Sequence, residues 1–422
     1  MKRGREKIQC QKTKRGREIP DSVTTDLTIE IFSRLPAKSA ARFRSLSKLW
    51  GSMLHRHYFT ELFLTRSCAR PRLLFALKRD GEREWSFFSS PLFHNPYEKS
   101  SLSADFHVKL SRDMFPTEFR GPASGLIYFS GMRISQKKGE DALVPVIFNP
   151  RTRQYATLPK LTRYNQFYSF LGFDPIGKQF KVLSMGHLGC SDDHMILTLG
   201  TGEMNWRKIQ YPFKHDPYSQ GICINGVLYY LASTSTSRVS DVIVCFDVRS
   251  EKFKFIKPKC FYTILVNYKG KLGGIKLNGD GHSNTLELCL WVLEDVEKQE
   301  WSNYVYTLPG NKSIDLSYAS VVGVTAKGEI VLTEKYTFRS KPFFVFYFNP
   351  ERKTFQRVEI QGFGEYYHEN LHIVSAFVDY VEVLTMQSTS SQAIAYVSSG
   401  ERPKLPKPQK LARRTSSRQP SC

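Results

Sequence analysis

Two hydrophobic periods divide the chain. Between residues 19 and 59 the apolar positions recur at helical spacing. Val23, Leu27, Ile31 and Leu35 fall at i, i+4, i+8 and i+12, and Ile29 and Phe32 widen that stripe. Asp21-Ser22 supply N-cap chemistry after Ile19-Pro20. Pro36 ends the helix, because a proline pushes the residue before it out of helical geometry. The pattern predicts a second helix near Ala37 to Arg44 and a third around Lys48 to His55, carrying Leu49, Trp50, Met53 and Leu54. About forty residues cannot bury so many apolar groups among themselves. Some of that surface must therefore pack on the next domain or on a partner.

From Leu73 the period becomes 2, and Lys252-Phe253-Lys254-Phe255 alternates strictly. Strand-like runs recur at Leu126 to Phe129, Val144 to Phe148, Phe180 to Leu183, Val227 to Leu231, Val242 to Phe246, Leu286 to Leu293, Glu329 to Leu332 and Phe343 to Phe348. Turn glycines fall at Gly125, Gly177, Gly226, Gly270 and Gly328, at steps of 52, 49, 44 and 58. A second turn series follows at Asn149-Pro150, Gly200 to Gly202, Arg249-Ser250, near Asp295 and at Asn349-Pro350. After each comes an aromatic on an exit strand: Tyr155, Trp206, Phe253, Trp301 and Phe355. Four strands in roughly 50 residues is the size of one propeller blade. Five such units are clear, and Leu73 to Phe88 starts another. Ile373 to Leu384 supplies a strand to close the ring against that incomplete blade. The expected fold is α plus all-β: a three-helix module followed by a β-propeller-like domain of about six blades, with a β-sandwich as the alternative.

Charge changes the picture at the ends. The chain has 422 residues and a net charge of +22. Residues 1–18 hold eight Lys/Arg against two Glu, and residues 401–422 seven against one. These arms have almost no apolar content and are expected to be disordered. Lys2-Arg3, a spacer and Lys12 to Arg17 form a two-part basic pattern, readable as a nuclear-import signal, a polyanion contact or a solubilising tail. No apolar run reaches the ~18 residues of a spanning helix, and the first residues lack a secretory signal, so neither membrane nor secretion is expected. Eight cysteines, none in a C-x-x-C pair, read as reduced thiols of an intracellular protein.

Candidate chemistry is sparse. His187, Cys190, Asp192, Asp193 and His194 gather ligand types at a spacing that matches no zinc module. His368-Glu369-Asn370-Leu371-His372 fits H-E-x-x-H, but its flanks, Tyr366-Tyr367 and Ile373-Val374, favour a strand. There the two histidines stand roughly 13 Å apart, too far for one metal. With no P-loop and no nucleophile elbow, no catalytic residue, metal ligand or cofactor is expected, and nucleic acid is not the expected partner.

Several ordered blocks carry a family resemblance: Ile19-Pro20-Asp21, Glu30 to Ser39 (EIFSRLPAKS), Arg42-Phe43-Arg44 and Leu46 to Trp50 (LSKLW). Together they resemble an F-box of the plant type over Ile19 to Phe59. The body resembles, more loosely, the F-box-associated domain, akin to kelch-like propellers, at Phe148 to Thr152 and Gly172 to Pro175. The resemblance implies docking on a Skp-type adaptor and through it a cullin scaffold. Pro20, Ile31, Leu35, Pro36, Leu46 and Trp50 would make or support the adaptor contact. It implies the substrate receptor of a ubiquitin ligase, in the nucleus, the cytoplasm or both. A non-degradative F-box scaffold or regulatory protein is the first alternative, and a nucleic-acid-binding protein acting through the basic tails the second. The expected layout is a disordered basic arm over 1–18, the F-box over 19–60, a linker over 61–72, the propeller over 73–390 and a disordered basic tail over 391–422. The target and the loops that hold it are not readable.

Overall fold

The computed structural model describes residues 25–79, 84–93, 101–110, 114–116, 119, 121–135, 141–161, 167–186, 194–200, 204–234, 241–260, 263–279, 286–308, 319–337, 341–363, 372–384 and 395–396. Both basic arms therefore lie outside the described residues. Four helices lead: α1 (Thr25–Arg34), α2 (Ala37–Leu46), α3 (Lys48–Leu54) and α4 (His57–Cys68). The first three stand where the period predicts. The fourth is a correction, since 61–72 was expected to be a linker and the module to have three helices. Phe59 and Phe63, one turn apart, bury against Ile29, Phe32, Met53 and Leu54 and draw α4 into the core. The run Leu62-Phe63-Leu64 hides this helix because adjacent apolar residues blur the 3.6 period.

The rest is six sheets. The third blade runs Phe167–Asp174, Gln179–Gly186, His194–Thr198 and Arg207–Ile209 from the inside outward. The fifth repeats the plan with Ile264–Tyr268, Lys271–Gly279, Leu286–Asp295 and Glu300–Leu308. The second is built on Leu126–Ser135, Asp141–Asn149 and Gln154–Thr157, the fourth on Val227–Ser233, Asp241–Asp247 and Phe253–Ile256, and the sixth on Ala319–Val324, Ile330–Glu334, Phe343–Asn349 and Thr354–Gln361. The first blade mixes chain ends: His372–Tyr380 lies inside Arg72–Arg79, Trp85–Pro91 and Asp105–Leu110. Its register, Leu77 opposite Val374 and Phe75 opposite Ala376, is the closure expected of Ile373 to Leu384. Two additions were not anticipated. Ser101–Ser103 crosses to pair in parallel with the outer strand of the sixth blade. Ala395–Tyr396, inside the segment expected as a disordered tail, pairs with Tyr155 and Gln154 on the second.

The middle strands of each blade are sandwiched between neighbouring blades, which explains the apolar runs. On Arg72–Arg79, Leu73, Phe75 and Leu77 face the sixth blade, packing with Phe343, Val345 and Tyr347. Leu74 and Ala76 face the second, packing with Ile127, Phe129 and Phe148. The period-2 alternation here chooses between two cores, not between core and water.

The turns repeat as well. Ser124-Gly125, Asn225-Gly226 and Lys269-Gly270 have positive φ at both positions, the two-residue hairpin geometry that right-twisted strands favour. Between third and fourth strands an Asx turn recurs. Asn149 Oδ1 accepts from the Arg151 and Thr152 amides at 3.0 and 3.2 Å, and Asn349 Oδ1 from Glu351 and Arg352 at 3.1 and 3.0 Å. Because strands alternate in direction, both turn series lie on one face of the ring. The longer connections, between second and third strands and between blades, leave from the opposite face.

Gly125 and Gly200 form a controlled pair. Both have positive φ, but a Cβ on Gly125 would lie 2.4 Å from the Val381 carbonyl oxygen, whereas one on Gly200 would meet nothing within 4 Å. Gly200→Ala is expected to cost only backbone strain, about 1 kcal/mol, and Gly125→Ala at least about 1 kcal/mol more, read from urea unfolding.

Candidate functional site

The helical module fills its own core and still leaves apolar side chains in water. Phe32, Phe43 and Trp50 form an edge-to-face cluster, with Trp50 centred 5.4 Å from Phe32 and 5.6 Å from Phe43. Outside it, Leu27 is 56% exposed, Ile31 53%, Leu46 68% and Leu49 65%. The stripe of Leu27 and Ile31 thus faces solvent, and α1 turns Ile29, Phe32 and Ser33 inward instead. Of the residues singled out in the sequence, Ile31, Pro36 and Leu46 are exposed, while Leu35 and Trp50 are half-buried supports. Pro20 lies outside the described residues. Leu27 and Leu49 share the exposed character but were not singled out.

A buried charged cluster fixes the module to the ring. Helix α2 starts after Pro36, which has no side chain to cap it. The Ala37 amide donates instead to Glu382 Oε2 at 2.7 Å, from 345 residues away. A carboxylate at a helix N-terminus meets unpaired amides and the positive end of the dipole. Glu382 Oε1 lies 3.0 Å from Arg151 Nε and 4.0 Å from Arg72 Nε. Arg72 also donates to Asp105 Oδ2 at 2.7 Å, so two cations face two carboxylates. Burial, then the Arg151 and Arg72 charges, hold His107 well below the usual imidazole range. Neutral His107 accepts from Arg151 at Nδ1 (3.1 Å), which leaves Nε2 to donate to Ser89 Oγ (2.8 Å). Next door, Asn149 Nδ2 donates to the Val383 carbonyl at 2.9 Å, and Leu384 joins the module's core. Glu61 of α4 pairs with Lys178 in a third-blade turn. The module therefore sits on the face of short turns.

The innermost strands enclose a central channel of about 660 Å³. Its walls mix aliphatic side chains, Ile222, Ile264, Val322 and Ile373 among them, with small, hydroxyl and amide groups such as Ser219, Gln220 and Asn267. Its two charged lining residues sit at opposite ends. Lys335, exposed, follows Ile330–Glu334 on the face of long connections. Asp379 lies near the inner end of His372–Tyr380, toward the module, at φ 53°. Burial pushes its carboxyl up to about 6, opposed by a hydrogen bond from the Ala326 backbone.

Of the other two candidate clusters, only His194 and His372 lie among the described residues. His194 is buried, its ring stacked on Tyr211 at 3.9 Å, and residues 187–193 lie outside the described residues. His372 is buried at the start of a strand opposite Thr337, and residues 368–371 are likewise outside. Among the described residues no three His, Cys, Asp or Glu side chains gather as a metal-holding group. Burial pushes the Cys245 thiol up to about 12 and raises Cys223 as well, which suits thiols packed as small hydrophobes. Glu382, Arg151 and Arg72 escaped the sequence reading. Its one signal was a lone charge in the apolar run Val381 to Leu384.

A helical module with an open apolar face, fixed to the turn face of a six-bladed ring, defines a protein of two presented surfaces. Residues 22–62 match the family described as "F-box domain", and residues 72–381 that described as "F-box associated beta propeller domain". The chain belongs to this family of F-box proteins with an associated β-propeller. It is similar to "Putative F-box protein At1g33020" of Arabidopsis thaliana, 52% identical over 415 residues that span 94% of this chain and 72% of that protein. "F-box protein At3g57590" of the same plant is 53% identical over 382 residues, spanning 86% of this chain and 91% of its own.

Two stability measurements check this site. Glu382→Ala takes the nearest carboxylate from buried Arg151 and uncaps α2, with an expected cost of about 3–5 kcal/mol in denaturant unfolding. Asp379 acts in the other direction. An unfolded aspartate titrates near 3.9, so between there and about 6 the folded chain holds the extra proton and stability falls as pH rises. Asp379→Asn is expected to add about 1–3 kcal/mol at pH 7.5, a gain that disappears by about pH 4.

Proposed function

We propose that the chain is the substrate-recognition subunit of a Skp–cullin–F-box ubiquitin ligase and performs no bond chemistry itself. The exposed Leu27, Ile31, Leu46 and Leu49 carry this reading: a module with a filled core keeps four large apolar side chains in water. An F-box domain in general binds a Skp-type adaptor, and these side chains suit such a contact. Ile31, Pro36 and Leu46 touch the adaptor, Leu35 and Trp50 support them from beneath, and Pro20 completes the set. A cullin is reached through the adaptor. The target binds on the face of long connections, opposite the module, since loops on a rigid scaffold are where binding residues concentrate. Holding a target near a charged conjugating enzyme raises the effective concentration of its lysines. This role suits the nucleus or the cytoplasm, and the basic arms suit import.

The test is capture of adaptor and cullin from plant cells with the proteasome blocked, comparing wild type with Ile31→Asp/Leu46→Asp. Both positions are exposed, so the unfolding transition should not move. Interface anchors are worth about 2 kcal/mol or more each, so adaptor affinity should fall at least about thirtyfold. A wild-type chain that recovers no adaptor refutes the reading. Adaptor capture without any ubiquitinated target supports a scaffold role instead.

A further inference from the structure

The channel has polarity. Its module end holds the Asp379 carboxyl, hydrogen-bonded from the Ala326 backbone, and no cationic side chain lines that end among the described residues. Asp379 also lies beside the segment 381–384 that runs into the helical module, so this end is the anchored one. The other end lies on the face from which the long connections leave. There Ile264 is 41% exposed, a large aliphatic side chain at the lip of the channel. Lys335 stands at the same end, exposed and without an ion pair among the described residues. Its backbone carbonyl accepts from the Val374 amide at 2.8 Å, which ties its main chain to the innermost strand of the first blade. Tyr336–Thr337 then adds to the inside of that strand. The lysine is therefore presented on fixed backbone, not on a free loop.

A channel that offers aliphatic side chains on a partly polar wall, with a cation at its lip, selects a ligand of two parts. The apolar part enters the channel, where Ile222, Ile264, Val322 and Ile373 offer surface. The anionic part stays at the lip, because Lys335 is the one cation among the described lining residues and an unpaired charge is costly to bury deeper. Resting on the receptor reading above, we propose that the open mouth of the channel is the target site, and that it takes a linear segment of a protein target in which a large apolar side chain neighbours an aspartate or glutamate. Lys335 is the residue that sets the requirement for acid.

The experiment pans a phage-displayed library of random dodecapeptides on the purified full chain without adaptor. An enriched peptide is then measured by fluorescence polarisation. The expected peptides place Asp or Glu within two positions of Leu, Ile, Met or Phe. Lys335→Glu should weaken their binding about tenfold or more, Lys335→Arg should keep it, and Ile264→Asp should abolish it, while Ile31→Asp on the helical module leaves it unchanged. Failure to enrich any peptide, enrichment without the acid, or equal binding to Lys335→Glu overturns the proposal. Because adaptor is absent, the two readings fail separately: peptide binding as expected with no adaptor capture sinks the receptor role alone, and the converse sinks this site alone.

Discussion

The arrangement depends on the carboxylate of Glu382. One oxygen accepts from the first amide of α2, and the other faces Arg151 of the second blade and Arg72 of the first. Removing two arginines and a glutamate from water is costly, and the cluster offsets that cost only by pairing every member. Arg72 has Asp105 as well as Glu382, and Arg151 has His107, kept neutral so that it can accept. Such a cluster tolerates one geometry. It therefore specifies position more than it adds stability, and what it positions is the F-box on the propeller.

Glu382 follows directly on the strand that closes the ring. His372–Tyr380 completes the first blade, and the next four residues reach Ala37, Asn149 and the helical core. Ring closure and placement of the F-box are thus one event made by one segment. The consequence is a body with its exposed apolar helices on one side and its long connections on the other. In the proposed role, that geometry holds a target at a set distance from the adaptor, and a flexible tether would not.

The repeating parts of this fold were legible because each blade solves the same problem with the same residues. Strands buried on both faces read as apolar runs, and the hairpin and Asx turns recur wherever chain direction must reverse, as at Asn225-Gly226 and Asn349 to Lys353. The F-box was legible from ordered blocks of residues. What escaped reading were contacts between distant segments: Glu382 as the cap of α2, Ser101–Ser103 on the sixth blade, and Ala395–Tyr396 on the second. No local period records a partner hundreds of residues away. Helix α4 escaped for a different reason, since its inward Phe59 and Phe63 are flanked by further apolar residues that mask the helical spacing. The direction of the Leu27–Ile31 stripe was hidden too, because an apolar face reads the same whether its partner is the same chain or another.

Native-state amide hydrogen exchange tests the coupling of ring and F-box most directly. If Glu382 joins them, the amides of Ala37–Leu46 and those of His372–Tyr380 exchange through a shared opening of equal free energy, and Glu382→Gln splits them into two. Exchange of α2 at its own lower free energy in the unaltered chain, with His372–Tyr380 still protected, would contradict the account.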